Sequence, residues 1–224
     1  MDQFKKEAFD FLKDIIIIVA VVFFIRTFLM MPFQINGQSM YTPYYDKEFI
    51  IVDRLSYREL PVFGTIREIE RGDVVIFAPK VSEERKYFIK RVIGLPGETL
   101  KIAGGRVYLQ NPQSQAFEEL EEGYYLSEEN NKKTSVRGDQ SEYVYEIPAG
   151  SYFVMGDNRN HSTDSRTCFQ SCATRENYIT PQDIVGKVLL DLGYFNFRDF
   201  SFTHPNLGIS TFPKFFGSKA HAEY

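Results

Sequence analysis

The sequence is poor in cysteine and has no excess of positive charge. Its two cysteines cannot build a disulfide-rich scaffold or supply the four ligands of a structural zinc site. Its 26 basic and 30 acidic side chains give a net charge of -4, which argues against nucleic acid as a partner, because binding it usually needs a basic surface. With 43% hydrophobic and 25% charged residues, the composition excludes disorder, collagen-like repeats and a multi-span membrane protein. The 224 residues allow one domain or two small ones.

One long apolar run lies near the N-terminus. Ile15 to Ile25 are eleven consecutive apolar residues, and the apolar character resumes after Arg26 and Thr27. Counted to Phe33, the stretch reaches the roughly 20 residues that a helix needs to cross a membrane. We therefore predict a transmembrane helix over residues 14–33. A cleavable secretory signal would need small residues after its core, and a buried globular helix would show an amphipathic period; the sequence has neither feature.

Basic residues predict the orientation of this helix. Lys5, Lys6 and Lys13 precede it, whereas no Lys or Arg follows it until Lys47. Positive charge favours the cytoplasmic side, so residues 1–13 are expected in the cytoplasm and the rest of the chain outside it. The sequence thus predicts a single-pass protein with the lipid bilayer as a partner.

Short runs of β-branched and aromatic residues, bounded by turn formers, follow the apolar stretch. They predict a mainly β fold, a barrel or folded sheet, over residues 34–110 and 150–224. The polar residues 111–149 between these parts are interpreted as an inserted subdomain or loop. Gly104 and Gly105 predict a hairpin turn, because glycine accepts a positive φ. The predicted strands are Glu48–Leu55, Asp73–Phe77, Lys86–Ile93, Glu98–Ala103, Arg106–Leu109, Ser151–Met155 and Asp183–Leu192.

Chemically capable residues fall in three clusters. Ser39 lies in GQSM directly after the apolar stretch, Lys90 lies in the β-rich run FIKRVIGLPGE, and the polar cluster GDNRNHSTDSR follows an apolar strand. In a strand Lys90 shares a face with Phe88 and Val92, so burial of that face would make its charge costly. A buried lysine lowers its pKa and can act as a neutral base near pH 7.

Together these blocks resemble those of bacterial type I signal peptidases, also called leader peptidases. The resemblance runs from the apolar stretch to about Leu192, and its specificity comes from the order of the blocks. They are Ser39-Met40, RGDVVIF (Arg71–Phe77), KRVIGLPGE (Lys90–Glu98), GDNRNHSTDSR (Gly156–Arg166) and IVGKV (Ile184–Val188). The family consists of serine endopeptidases anchored in the bacterial plasma membrane, which remove signal peptides from exported preproteins after small residues of A-x-A type. Its members need no metal or cofactor, and their β barrel often carries an inserted β subdomain.

The resemblance implies a role for each matching residue. Ser39 corresponds to the nucleophile, Lys90 to its general base, and Ser162 to the serine that orients the lysine. The backbone N–H of Ser39 is expected to be one oxyanion donor. The charged positions expected to support the site are Arg91, Asp157, Asp164 and Arg166. The residues expected to line the pockets for small side chains, with packing in the barrel core as the alternative, are Ile35, Met40, Phe88 and Ile89.

Two departures from the family keep alternatives open. Gly37 stands where some members have a serine that adds a second oxyanion donor, and Thr42-Pro43 reverses the usual order. They motivate the alternative of a catalytically silent homologue that binds exported proteins or a partner through the same groove. A chemical alternative is a triad of Ser39, His161 and Asp164.

The two cysteines, Cys168 and Cys172, lie four residues apart. In an oxidising compartment they are expected to form a local disulfide, and two free thiols are the alternative.

Overall fold

The computed structural model describes residues 2–41, 43–55, 57, 59–60, 64–65, 67–79, 86–136, 140–170, 172, 176–196, 198–203 and 214–215. In chain order the strands are β1 (Met30–Gln34), β2 (Phe49–Asp53), β3 (Glu59–Leu60), β4 (Gly64–Thr65), β5 (Val74–Phe77), β6 (Phe88–Gly94), β7 (Thr99–Ala103), β8 (Arg106–Gln110), β9 (Phe117–Glu119), β10 (Glu142–Glu146), β11 (Phe153–Met155), β12 (Ile184–Asn196), β13 (Ser201–Thr203) and β14 (Lys214–Phe215).

The N-terminal helix begins and ends earlier in the chain than the sequence predicts. Helix α1 (Asp2–Phe24) continues as five residues of π-helix (Ile25–Leu29) and then gives way to β1. Residues 30–33, the last four of the predicted span 14–33, are therefore not helical, because the backbone from residue 30 onward pairs antiparallel with β2. Among the described residues, no helix combines the length and the apolar character that a membrane span requires. Apolar side chains of α1 are exposed; Phe23, for example, is 66% accessible.

The main sheet confirms the prediction of a mainly β fold. Its strands lie in the order β1-β2-β12-β5-β6-β11, and β13 and β14 pair with β12. Every pairing in this sheet is antiparallel. Strand β6 is buried from Lys90 onward. Two 3-10 segments lie between β11 and β12 in the chain, at Ser165–Gln170 and Pro181–Asp183.

The second sheet has the order β10-β7-β8-β9. Gly104 and Gly105 close the hairpin between β7 and β8 with φ angles of 56° and 80°, which confirms the predicted turn. Two strands of this sheet come from before residue 111 and two from the polar stretch 111–149. The polar stretch is therefore part of a small sheet that starts at Thr99. The short strands β3 and β4 pair with each other.

Three packed clusters hold these sheets together. One cluster lies between the start of the main sheet and the turn after β1, and includes Ile35 and Met40. Another fills the second sheet around Leu100 and Tyr125, and reaches Phe153 of β11. The third lies on the Val75 face of β5 and β6. Their packing brings three segments together at one place: the turn after β1, strand β6, and the loop after β11.

Candidate active site

Ser39 lies in the turn that connects β1 to β2. The backbone N–H of Tyr41 donates to the Gln38 carbonyl oxygen at 3.1 Å, which closes a tight turn around Ser39. On the N-terminal side Gly37 has a φ of 110°, a backbone angle that favours glycine, and its N–H donates to Asp46 Oδ1 at 2.6 Å. The Ser39 side chain is half-buried at this turn.

Asn158, in the loop after β11, fixes the same turn from the other side. Its backbone N–H donates to the Ser39 carbonyl oxygen, and its side-chain Nδ2 donates to the Gln38 carbonyl oxygen, both at 3.0 Å. The backbone N–H of Ser39 has no acceptor among the described residues. It therefore remains available to an oxyanion, as the resemblance implies.

Lys90 lies on β6 with its ammonium group at Ser39. Its Nζ donates to Ser39 Oγ at 2.6 Å and to the Ile89 carbonyl oxygen at 2.8 Å. Both faces of β6 are buried from Lys90 onward, including the face that carries Lys90. Its cross-strand partner Val75 and the next residue on that face, Val92, are both fully buried.

Burial determines the electrostatics of the lysine. Lys90 is only 2% exposed, and this burial lowers its pKa from 10.5 to about 8, although the carboxylates of Asp164 and Asp157 oppose the shift. A lysine with such a pKa is neutral in a useful fraction of molecules near neutral pH. It can then accept a proton from Ser39 Oγ, which an ordinary surface lysine could not do.

Arg91 and Asp157 form a fully buried ion pair beside Lys90. Arg91 donates to Asp157 from Nε at 2.9 Å and from Nη2 at 2.6 Å, and its Nη1 donates to the Gly72 carbonyl oxygen at 2.8 Å. Both side chains are inaccessible. A two-pronged pair of this kind fixes the relative position of β6 and the loop after β11.

Asp164 and Arg166 form a second buried pair in the same loop. Arg166 donates to the two Asp164 carboxylate oxygens at 2.9 and 2.8 Å, and the Gly156 N–H donates to Oδ2 at 3.0 Å. Burial alone would raise the pKa of Asp164, but Arg166 and these hydrogen bonds lower it below its usual value. The carboxylate therefore stays charged and holds both ends of the loop.

A cavity of about 490 Å³ opens beside Ser39 and Lys90. Three of the four predicted pocket residues, Ile35, Phe88 and Ile89, line it. Met40 does not; it is 1% exposed and packs in the core cluster with Ile35. The residues that line the cavity and were not anticipated are Phe33, Gln34, Asn36, Gln38, Ile50, Ile76, Tyr87 and Thr163.

Comparison with known proteins shows the family. The profile of the family described as signal peptidase, peptidase S26, matches residues 8–192, well over half of the chain. The chain belongs to the S26 signal peptidase family. A signal peptidase I of Bacillus amyloliquefaciens is 37% identical over 158 residues, which are 69% of this chain and 72% of the relative. Signal peptidase I U of Bacillus subtilis (strain 168) is 36% identical over 156 residues, 68% of this chain and 74% of the relative.

A solved signal peptidase I of Enterococcus faecalis V583 also matches this S26 chain. The identity is 25%, and the match covers 54% of this chain and 97% of that chain, with a TM-score of 0.39. The predicted membership of the signal peptidase family is thus confirmed by the profile and by the Bacillus relatives.

One expected contact of this S26 peptidase is not formed. Ser162 Oγ is buried and has no hydrogen-bond partner of ordinary geometry in the described ranges. It lies close enough to the Asp164 carboxylate to help lower the pKa of that group. The described residues therefore show no hydrogen bond from Ser162 to Lys90 of the kind that the resemblance implies.

His161 is the base of the alternative triad with Ser39 and Asp164. It lines the cavity with Ser39, yet the Ser39 side chain is bonded to Lys90 and to no histidine in the part of the chain that is described. Its backbone N–H donates to the Asn158 carbonyl oxygen at 3.1 Å.

No three His, Cys, Asp or Glu side chains of the described segments are grouped so as to hold a metal ion. Thr42 lies outside the described residues, so the reversed Thr-Pro order stays untested.

Several residues of the site have no distinctive sequence signal. Asp46 holds the nucleophile turn, but an Asp in a loop is ordinary in any sequence. Asn158 also holds this turn; it lies in the GDNR block, where nothing in the sequence singles it out from its neighbours. Gly156 is the first residue of GDNR, which could have drawn attention to it. The disulfide between Cys168 and Cys172, which the sequence predicts, is formed.

Proposed function

We propose that the protein is a serine endopeptidase that removes N-terminal signal peptides from exported preproteins after small residues of A-x-A type. The observation that carries the proposal is the 2.6 Å contact between Lys90 Nζ and Ser39 Oγ, with the lysine buried and its pKa lowered to about 8. Membership of the S26 signal peptidase family supports the substrate class.

The first half of the proposed reaction forms an acyl-enzyme. Neutral Lys90 accepts the proton of the Ser39 hydroxyl as Oγ attacks the carbonyl carbon of the scissile bond. Negative charge develops on the carbonyl oxygen, where the free N–H of Ser39 can donate to it. Protonated Lys90 then gives its proton to the leaving amine. The C–N bond breaks, and the signal peptide remains as an ester on Ser39.

The second half regenerates the enzyme. Neutral Lys90 takes a proton from a water molecule, whose oxygen attacks the ester carbon. Collapse of the tetrahedral intermediate returns the proton to Ser39 Oγ and releases the signal peptide with a new carboxylate. The same lysine therefore serves both steps, which is why a single buried amine can replace the His-Asp part of a triad.

Substrate specificity is proposed to come from the cavity. Ile35, Phe88 and Ile89 present apolar surface next to Ser39. Phe88 also packs against the rings of Phe77 and Phe169, which limits how far its own ring can move. Apolar surface of this kind beside the nucleophile suits alanine-like side chains before the scissile bond.

The proposal also includes contact of α1 with a lipid surface and a location of the catalytic part outside the cytoplasm. The apolar side chains from Ile15 to Phe24 are exposed, and contact with lipid would remove them from water. The disulfide between Cys168 and Cys172 is typical of an oxidising compartment outside the bacterial cytoplasm. Burial of α1 in liposomes, measured by protection of this helix from protease, tests the lipid contact.

The test of the reaction is cleavage of a preprotein by the purified full chain in detergent. We expect wild type to cut after an A-x-A sequence, and Ser39→Ala and Lys90→Ala each to lose about 10³-fold or more in kcat. His161→Ala is the control, because His161 lines the cavity without bonding to Ser39. Equal cleavage by wild type and Ser39→Ala would show that Ser39 is not the nucleophile. If wild type binds the preprotein and never cuts it, the silent homologue is the better description.

A further inference from the structure

The segment between β9 and β10 contacts two loops of the proposed active site. It connects two strands of the second sheet, and its residues 122–135 contact the turn that carries Ser39 and the loop after β11. Neither resemblance nor motif assigns any of these residues a role. The inference below depends on the proposed function, because it concerns how the nucleophile is held.

Asn130 is the residue of this segment that touches both loops. Its Oδ1 accepts from the backbone N–H of Arg159 at 2.9 Å, and its Nδ2 is 3.4 Å from the Tyr41 carbonyl oxygen, a long hydrogen bond. Tyr41 is two residues after Ser39. Arg159 directly follows Asn158, whose two hydrogen bonds fix the Ser39 turn. One side-chain amide thus links the turn to the loop that holds it.

The amide of Asn130 is itself held in place. Its Nδ2 also donates to Ser127 Oγ at 3.1 Å, and its backbone N–H donates to the Ser127 carbonyl oxygen at 2.9 Å. The residue is only 5% exposed. Since a buried amide with fixed partners cannot rotate freely, its two contacts to the active-site loops have a defined direction.

A buried ion pair attaches the segment to the same loop. Arg159 Nη1 donates to Glu122 Oε2 at 2.8 Å and to Thr134 Oγ1 at 2.7 Å, and its Nη2 donates to Glu122 Oε1. Glu122 in turn accepts from the Tyr125 hydroxyl at 2.6 Å. The Tyr125 ring lies against the Arg91 guanidinium, 4.3 Å from ring centre to Cζ. The segment therefore reaches both the Ser39 side and the Lys90 side of the site.

We propose that Asn130 is a positioning residue of the nucleophile: through Tyr41 and Arg159 it holds the Ser39 turn and the loop after β11 at the separation that brings Ser39 Oγ to Lys90. The distance between a nucleophile and its base must be right to a fraction of an ångström, and a 1 Å displacement can cost on the order of 10²-fold in rate. Asn130 touches neither the substrate cavity nor Lys90, so it acts only through these loops.

The test compares two variants of Asn130 with one of its neighbour. Asn130→Ala removes both contacts. Asn130→Asp keeps the acceptor for the Arg159 N–H and loses the donor to Tyr41. Asn131→Ala is the matched control: it is the same residue type at the next position, and its side chain makes no hydrogen bond to either loop within the described residues. Steady-state cleavage of an A-x-A preprotein is measured for each, with thermal unfolding alongside.

If Asn130 positions the nucleophile, its replacement should change kcat, KM and the pH profile in a specific way. We expect Asn130→Ala to lower kcat about tenfold or more with KM changed less than twofold, because the cavity is untouched. The kcat of Asn130→Asp is expected to lie between the kcat of Asn130→Ala and that of wild type. The midpoint of the kcat/KM profile against pH should stay at the wild-type value, since burial and the charges of Asp164 and Asp157, which set the pKa of Lys90, do not involve Asn130. An unchanged kcat in Asn130→Ala, a loss found wholly in KM, or an equal loss in Asn131→Ala overturns the proposal.

A second measurement does not depend on cleavage. Amide hydrogen exchange of the peptide containing residues 38–41 should become faster in Asn130→Ala and stay at the wild-type rate in Asn131→Ala. If wild type fails to cut any preprotein but this exchange pattern is found, the positioning contact stands and the proposed reaction fails. If exchange is the same in all variants, Asn130 does not hold the turn, whatever the enzyme does.

Discussion

Gly156 and Ser162 approach so closely that no side chain fits between them. A Cβ atom added at Gly156 would lie 2.2 Å from Ser162 Oγ and 2.3 Å from the Ser39 carbonyl oxygen. Both distances are far shorter than any van der Waals contact. Gly156 therefore allows the Ser39 turn and the loop after β11 to converge, and the backbone atom in the way, the Ser39 oxygen, cannot rotate aside as a flexible side chain could.

The change Gly156→Ala should abolish most activity. The methyl group has to displace the Ser39 turn, and overpacking of this kind typically costs about 1–3 kcal/mol of stability. Moving Ser39 away from Lys90 should lower kcat by more than about tenfold. The measurement is cleavage together with urea unfolding. Gly123→Ala is the control, because a Cβ there would meet only Asn131 Nδ2, at an ordinary 3.5 Å. Wild-type kcat in Gly156→Ala would show that the turn can move without consequence.

Much of this site could be predicted because its residues lie in contiguous blocks. The β-branched run around Lys90 predicts a strand, and its alternation places the lysine on the face of Val92, which is buried. The glycine pair 104–105 predicts its hairpin by local backbone preference alone. The proximity of Ser39 to Lys90, 51 residues away, could be anticipated only from the resemblance, since spacing in sequence says nothing about such a contact.

The remaining features depend on tertiary contacts that no local pattern encodes. The run that looks like one long helix divides at Leu29, because Met30–Gln34 gains hydrogen bonds by pairing with β2. Asn130 and Glu122 lie in a polar stretch that resembles a solvated face, yet they are buried against Arg159. A polar residue is buried only where a partner satisfies it, and that partner is distant in sequence.

Activity should rise with pH through about 8. Only neutral Lys90 can accept the Ser39 proton, and burial lowers the pKa of Lys90 to about 8. Below that value kcat/KM is expected to fall about tenfold per pH unit, and above it to level off. The measurement is kcat/KM for one peptide substrate from pH 6 to 10 at constant ionic strength. A midpoint near 6.5 would instead indicate a histidine base.

Replacing the buried lysine should stabilise the protein while inactivating it. The pKa of Lys90 is lowered on folding, so the unfolded chain binds the extra proton between about pH 8 and 10.5, and native stability rises with pH across that window. Below pH 8 the native protein bears the whole free-energy cost of burying the charged Lys90. At 1.36 kcal/mol per pKa unit it reaches about 3 kcal/mol as an upper bound. Lys90→Met removes the charge and nearly keeps the volume, so it should raise the free energy of unfolding at pH 7.

Urea unfolding of wild type and Lys90→Met at pH 7 and pH 10 measures this effect. The difference in stability between the two proteins should be largest at pH 7 and should shrink as the pH rises through 8 to 10. Lys86→Met is the control for the loss of a lysine, because Lys86 is exposed. A lower stability of Lys90→Met at pH 7 would mean that the lysine contributes packing or hydrogen bonds that exceed its desolvation cost.

The disulfide holds a loop with an uncommon backbone. Cys168 and Phe169 have φ angles of 52° and 62°, in the left-handed region that residues other than glycine rarely adopt. This conformation directs the Phe169 ring into the core, 5.3 Å from the Phe77 ring and 6.0 Å from that of Phe88. Because Phe88 lines the substrate cavity, the loop supports one wall of the cavity.

Removing the disulfide should therefore affect both stability and substrate binding. Closing so short a loop restricts the unfolded chain enough to contribute about 2 kcal/mol, so the double variant Cys168→Ser/Cys172→Ser should unfold at a lower urea concentration. Release of Phe169 should loosen the wall formed by Phe88 and raise KM more than it lowers kcat, since Ser39 and Lys90 are untouched. Wild type treated with dithiothreitol should approach the variant, and the variant itself should not respond. If KM stays constant while stability falls, the loop stabilises the fold without shaping the cavity.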